Sequence, residues 1–389
     1  MFLNTKARRD LGLLSPWALS ILFTVGALFS SAARATGDVG ATEAECSTVD
    51  LRPLFGPARD QGDIGWCYAN ATADLLTYLF RDQLGGERAS AAYTALVYNS
   101  EGGESADEEG GEVDVAFRRA GDEGICPESI ERHILETGPR IGTKEKLEKF
   151  LELKRLYDSR AKSPWAEAEF KVRLETYRAQ RSSLFELPTR VINELFRQPI
   201  EKFPLQFAND MCNAQRKEVR GPLAKMKTYD KERFGSAALK LTPIIHQQLD
   251  AHRPVAVYYA ANFLNEQNFW APPRNYSLNN VALDGTHDFF KAINSSGQRK
   301  RIYSWVTKKF ELRSPYENLG RHASLIVGRK WSASRRRCEF ILRNSWGTSC
   351  NVYPATRGHR GDDRCEAGAP FVSDRFFETQ VYGTVVFDN

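Results

Sequence analysis

Along the first hundred residues the alternation of polar and apolar positions changes character twice. Lys6, Arg8 and Arg9 lead into an apolar run from Trp17 to Phe29, and Ala33-Arg34-Ala35 then offers small residues at both positions that a signal peptidase reads. The pattern predicts a secretory leader over 1–35, cleaved after Ala35. The run is short against the ~20 residues that cross a bilayer, so a single-pass anchor is the lesser alternative. After a short polar segment, 36–54, comes a stretch apolar nearly all round at helical spacing: Tyr68, Ala69, Ala71, Ala73, Leu75, Leu76, Leu79 and Phe80. It predicts a buried helix. A Gly-containing turn, Gln61 to Trp66, delivers Cys67 to its head.

Further on the periodicity is helical over much of 131–240. Lys144 to Tyr157 carries Leu147, Phe150 and Leu151 on one face, with Glu145 and Lys149 as an i,i+4 pair. Ser163-Pro164 opens a second helix through Phe170, Leu174 and Tyr177, and Thr189 a third through Val191, Ile192, Leu195 and Phe196. Leu241 to Leu249 reads as helix, and Pro254 to Tyr259 alternates like a strand entering a β-rich part. Two apolar runs, Arg321 to Gly328 and Cys338 to Gly347, flank the polar Ser332 to Arg337 and predict a hairpin. His322 and Asn344 are equidistant from position 333, inside that turn, so pairing sets them roughly level at the open end.

Composition narrows the picture. The 54 basic residues against 49 acidic leave a net charge of +5, too mild for a nucleic-acid footprint. Seven cysteines in an exported chain leave at least one thiol unpaired, and Cys67 is the natural one. Cys350 with Cys365 is the expected local disulfide; the pairing of Cys46, Cys126, Cys212 and Cys338 stays open. A zinc site from Cys350, His359 and Cys365 is the sharper alternative, but the spacing fits no familiar ligand pattern.

The candidate chemistry follows from the head of the buried helix. Unpaired N–H groups and the positive end of the macrodipole favour a thiolate there, the form that attacks carbonyls. A nucleophile needs a base, and the base an orienting group. His322 and Asn344 supply both types.

Taken in order, Gln61-Gly62 with Gly65-Trp66-Cys67-Tyr68-Ala69, Gly110-Gly111 followed by Gly124-Ile125-Cys126, Pro254-Val255-Ala256-Val257, His322-Ala323 and Asn344-Ser345-Trp346-Gly347 resemble the papain/cathepsin family of cysteine peptidases. The resemblance implies an α+β, papain-like two-domain fold. A helical left domain (55–130) would carry the Cys67 helix, and a β-barrel-like right domain (241–389) would carry His322 and Asn344. It implies Cys67 as nucleophile, His322 as base, Asn344 as its orienting partner, and Gln61 as oxyanion donor beside the Cys67 backbone N–H. Gly110 and Gly111 would line the cleft, and Trp346 would shield the His–Asn contact. The expected substrate is a protein or peptide, with no cofactor, no metal, no nucleic acid and no stable membrane insertion after leader cleavage.

Several departures stand beside it. Ile64 and Glu109 occupy positions where the family usually has a disulfide, Tyr68 replaces a usual Trp, and Trp66 a usual small residue. The Cys67–His322 separation exceeds the family's ~130–150 residues by roughly a hundred, which defines the 131–240 helical insertion. The 36–54 segment is too short for the family's inhibitory propeptide, and a lid formed by the insertion is one replacement. Rival functions are another acyl transfer on the same fold, such as amide ligation or peptidoglycan cleavage, and a catalytically idle binding protein.

Overall fold

The computed structural model describes residues 41–387 apart from 63, 103–109, 130–142, 162, 354–363, much of 180–240 and most of 261–320. The leader lies outside the described residues. Gly40–Asn389 pack as one compact unit that mixes helices with an antiparallel sheet. Helix α1 (Cys67–Phe80) is its centre: nearly every residue from Cys67 to Thr77 is buried, as the all-round apolar pattern predicts. It packs against α2 (Ala91–Gly102), α3 (Val113–Glu123) and the sheet strand β8 (Arg321–Ser332).

The sheet also contains β1 (Val49–Asp50), β2 (Met226–Asp230), β3 (Val255–Ala260), β9 (Arg337–Arg343), β10 (Cys365–Glu366), β11 (Ala369–Ser373) and β12 (Val381–Phe387). Their order is β10-β11-β9-β8-β3-β12-β2, with β1 paired to β8. Among the described residues this sheet is open, so the expected barrel-like closure is not seen. Two small hairpins, β4 with β5 (Tyr276–Leu278, Val281–Leu283) and β6 with β7 (Lys300–Ser304, Lys309–Arg313), fall within the long stretch before β8.

The hairpin β8–β9 forms where the polar turn predicts it, but its register differs from the simple count. Ser332 still belongs to the strand and pairs with Arg337, and an irregularity between Ile326 and Gly328 then shifts the ladder so that Leu325 pairs with Arg343. One step further brings Asn344 level with Ser324, leaving His322 two residues beyond. Because strand side chains repeat every second residue, His322 and Ser324 share a face, and both reach Asn344. Gly328 sits at this irregularity for a steric reason: a Cβ there would lie 2.2 Å from the Val49 carbonyl oxygen.

The chain before α1 is fixed to the far end of β8, where Val49 pairs with Arg329 and Asp50 with Gly328. At ~3.3 Å per residue that is roughly 20 Å along the strand from His322. The Cys46–Cys338 disulfide ties it there. The 131–240 stretch contains the two long helices expected, α4 (Thr143–Ser159) and α5 (Pro164–Ala179), which share an aromatic cluster of Tyr157, Phe170 and Phe196. The third expected helix lies largely outside the described residues. The stretch is not wholly helical, since β2 pairs along β12 at the sheet's edge, and the Cys126–Cys212 disulfide fastens it beside α3. Among the described residues, two further α-helices are α6 (Thr242–Asp250) and α7 (Asp374–Gln380). No described helix is long and apolar enough to cross a membrane.

Candidate active site

Cys67 opens α1, with no side-chain cap ahead of it, so the first-turn N–H groups stay directed toward the thiol end. It is the free cysteine; the other six form Cys46–Cys338, Cys126–Cys212 and the expected Cys350–Cys365 pair. That last bond occupies both sulfurs of the alternative zinc set. One other grouping of ligand-type side chains occurs among the described residues, His246 with Cys338 and Asp374. There the sulfur is bonded to Cys46, and His246 Nδ1 lies 3.0 Å from the Arg329 guanidinium, which can only donate.

Strand and helix meet at the thiol. The backbone N–H of Ala323, the residue after His322, reaches the Cys67 sulfur, together with the N–H groups of Tyr68 and Cys67 itself. Burial raises the Cys67 pKa, and these three donors oppose it. Burial also pushes His322 down to about 4, against the effect of its bond to Asn344. For a thiolate arising alone, the cost of burial outweighs the three donors. Burial favours the neutral thiol and the neutral imidazole, each taken singly.

Asn344 is held on every side. Its Oδ1 accepts from the Ser345 backbone N–H at 2.8 Å and from Ser324 Oγ at 3.1 Å, and lies 2.6 Å from His322 Nε2. Its Nδ2 donates to Tyr353 Oη, whose own proton goes to the Gly368 carbonyl. Backbone N–H can only donate, so the end of the amide facing Ser345 is the oxygen. His322 Nε2 facing that oxygen is then the protonated nitrogen, which leaves Nδ1 as the basic one. Trp346 lies 5.3 Å from the imidazole, ring centre to ring centre, and stacks on Tyr353, so the His322–Asn344 contact has an aromatic cover.

Gln61 is brought to the same place by backbone pairing with the segment after β9: its N–H donates to the Ser345 carbonyl, and Gly347 N–H to the Arg59 carbonyl. Its amide is oriented by Ser345 Oγ donating to Oε1 at 2.5 Å, while Nε2 donates to the Ile64 carbonyl at 3.0 Å. Gly110 donates its N–H to the Gly65 carbonyl, two residues before Cys67. A Cβ on Gly111 would stand 2.8 Å from the Tyr68 ring, so only glycine lets that backbone pass the residue following the thiol. From the strand side Tyr258 Oη takes the Val113 N–H at 2.6 Å, bridging β3 to the head of α3.

Beneath these residues lies a charged group that the sequence reading missed. Asp74, on α1, accepts from Arg343 Nε at 2.6 Å and from Arg59 Nε at 2.8 Å. Arg59 also binds Glu128 and the Ala89 carbonyl, and Arg343 binds the Gly56 and Pro57 carbonyls. Burial alone would raise Asp74, but Arg343, Arg59 and Arg88 together hold it below the usual carboxylate range. The cluster ties the Cys67 helix to the strand carrying Asn344 and to the loop carrying Gln61. A lone aspartate within an apolar helix was the available clue, because a buried carboxylate needs partners.

No family model matches the sequence. No curated protein matches it either. Among solved structures the chain is similar to PepW from Lactobacillus rhamnosis HN001, with TM-score 0.43 and 15% identity over 87% of this chain and 81% of that one. It is similar to xylellain, a cysteine protease from Xylella fastidiosa, with TM-score 0.43 and 16% identity over 90% and 91%. It is also similar to digestive procathepsin L 3 of the Tenebrio molitor larval midgut, with TM-score 0.40 and 15% identity over 90% and 72%. Likeness of that order carries no conclusion about reaction or substrate, which have to be argued from the atoms of the site.

Proposed function

We propose that this chain is an exported thiol peptidase that cleaves peptide bonds through an acyl-enzyme on Cys67. The observation that carries the reading is the 2.6 Å contact of His322 Nε2 with Asn344 Oδ1, on a strand whose next N–H, that of Ala323, meets the free thiol. With Nε2 protonated, Nδ1 accepts the proton of Cys67. Each burial penalty above applies to one charge arising alone. Proton transfer between neighbours creates thiolate and imidazolium together, so each charge stabilises the other.

The sulfur then adds to the scissile carbonyl carbon, and its oxygen becomes an oxyanion. The Cys67 N–H and the second N–H of the Gln61 amide receive that charge, since Ile64 uses only one of the two. Collapse breaks the C–N bond, and the leaving amine takes its proton from His322. Water enters, gives a proton to His322 and its oxygen to the thioester carbonyl, and the acid departs as the thiol re-forms. Gly110 and Gly111 supply the backbone along which an extended peptide lies. Export is supported by the leader at 1–35 and accords with three disulfides.

The test is hydrolysis of a fluorogenic peptide library by the purified protein and by Cys67→Ala, with and without an added amine acceptor. Hydrolysis by wild type alone supports the reading. Amide products that dominate when the acceptor is present would replace it with acyl transfer, and equal traces from both proteins would end it.

A further inference from the structure

Two hydroxyls outside the four residues just named meet the same amide. In the β3–β8 ladder Tyr259 pairs with His322 and Val257 with Ser324, so Tyr259, His322 and Ser324 point to one face of the sheet. Tyr259 Oη reaches diagonally to Ser324 Oγ at 2.7 Å, and its ring meets the imidazole edge-on with centres 5.4 Å apart. Ser324 and Tyr259 are both buried, and burial keeps the Tyr259 hydroxyl protonated.

A count of protons gives this chain a direction. Asn344 Oδ1 is an acceptor, so the Ser324 proton goes to it. The serine oxygen is then left to accept, and the Tyr259 proton goes there. The sequence is Tyr259 to Ser324 to Asn344 Oδ1, with His322 Nε2 arriving at the same oxygen from the other side. Were the amide turned over, its NH2 would confront the Ser345 N–H, the Ser324 hydroxyl would have to turn its proton away and accept instead, and the imidazole would be driven to the tautomer with its proton on Nδ1, facing the thiol. That tautomer accepts no proton from sulfur.

We propose that Ser324 and Tyr259 are positioning residues that fix which nitrogen of His322 carries the proton, and so keep the base poised toward Cys67. The claim rests on His322 acting as the base in the proposed peptidase. The hairpin register supports it, because the shift between Ile326 and Gly328 is what brings Ser324, and not Leu325 on the opposite face, level with Asn344.

Nitrogen-15 NMR of His322 reads the tautomer directly, and a Cys67→Ala background removes self-cleavage during the measurement. The parent should show one protonated-type and one unprotonated-type ring nitrogen. Ser324→Ala should give averaged shifts from a mixture of tautomers, and Ser324→Thr should restore the parent pattern. In the active protein Ser324→Ala should lower kcat/KM about tenfold, the scale of one lost neutral hydrogen bond, with KM unchanged and the acid limb of the pH profile displaced. Tyr259→Phe, which keeps the ring, should shift both readouts the same way by less, and serves if Ser324→Ala does not fold. Unchanged tautomer and unchanged pH profile in these variants, with only a lower melting temperature, would overturn the proposal. The NMR result needs no turnover: a tautomer shift in a protein that cleaves no peptide retains the positioning claim and removes the peptidase reading, while peptide cleavage without a tautomer shift does the reverse.

Discussion

Arg343 and Asn344 are neighbours on one strand end, yet they enter networks of opposite kinds. Arg343 turns to one side and joins a buried set of full charges with Asp74 and Arg59. Asn344 turns to the other and joins only neutral donors and acceptors: Ser324, Tyr353, the Ser345 N–H and the neutral imidazole. The charged side locks three segments together, for Asp74 is the buried carboxylate shared by Arg343 and Arg59. The neutral side leaves Cys67 and His322 as the groups that change charge during a reaction. Stability and protonation control are thus divided between two faces of the same hairpin.

That division predicts distinct consequences, and the largest is on the charged face. Asp74→Asn takes the paired carboxylate from Arg343 and leaves Arg59 with Glu128, and removal of one member of a buried pair typically costs about 3–5 kcal/mol. Chemical denaturation should show that loss, while the fraction still folded keeps the wild-type pH dependence of activity. A pH profile displaced as far as in Ser324→Ala would erase the contrast. Next, Gln61→Ala should lower kcat by ~10²–10³ without abolishing it, as loss of one oxyanion donor does, with the melting temperature nearly constant.

Acid stability tests the neutral face. His322 titrates near 6.5 when unfolded and at about 4 when folded, so the unfolded chain binds the proton first as pH falls. The stabilisation is complete above pH 6.5 and is lost between there and 4, by about 3 kcal/mol. His322→Gln should flatten that part of the curve, measured by denaturant melts across the range. Asp74, held low by its arginines, adds its own loss only below the ordinary carboxylate value. The smallest effect is that of Trp346→Leu, which removes ring contacts with His322 and Tyr353 and should cost about 0.5–1.5 kcal/mol beyond the buried area.

The helix at Cys67 and the β8–β9 hairpin were legible because each writes its structure locally: an apolar surface all round the helix, and two apolar runs about a polar turn. The residue types at Gln61, Cys67, His322 and Asn344 were singled out instead by their order along the chain, which resembles that of a known family. The register was not legible. Counting from 333 sets His322 against Asn344, but the turn is centred later, between Ser334 and Arg335, and the irregularity between Ile326 and Gly328 then makes Ser324, and not Leu325, the level partner. For that reason Ser324 and Tyr259 escaped notice, as did the Asp74 cluster, whose members Arg59, Asp74, Arg88, Glu128 and Arg343 come from five separate segments. Strand β2 was invisible because Met226–Asp230 is a half-buried edge strand with no apolar alternation to declare it. Cys350 with Cys365 was readable from proximity; Cys46–Cys338 and Cys126–Cys212 span distances that no local pattern encodes.

The most direct measurement is the rate at which an epoxysuccinyl thiol reagent modifies the folded protein, with the labelled residue mapped by mass spectrometry, in wild type and in His322→Ala. The account predicts a single modification, at Cys67, whose rate collapses when the imidazole is removed. An unlabelled native protein, or a Cys67 that reacts equally fast without His322, would contradict it.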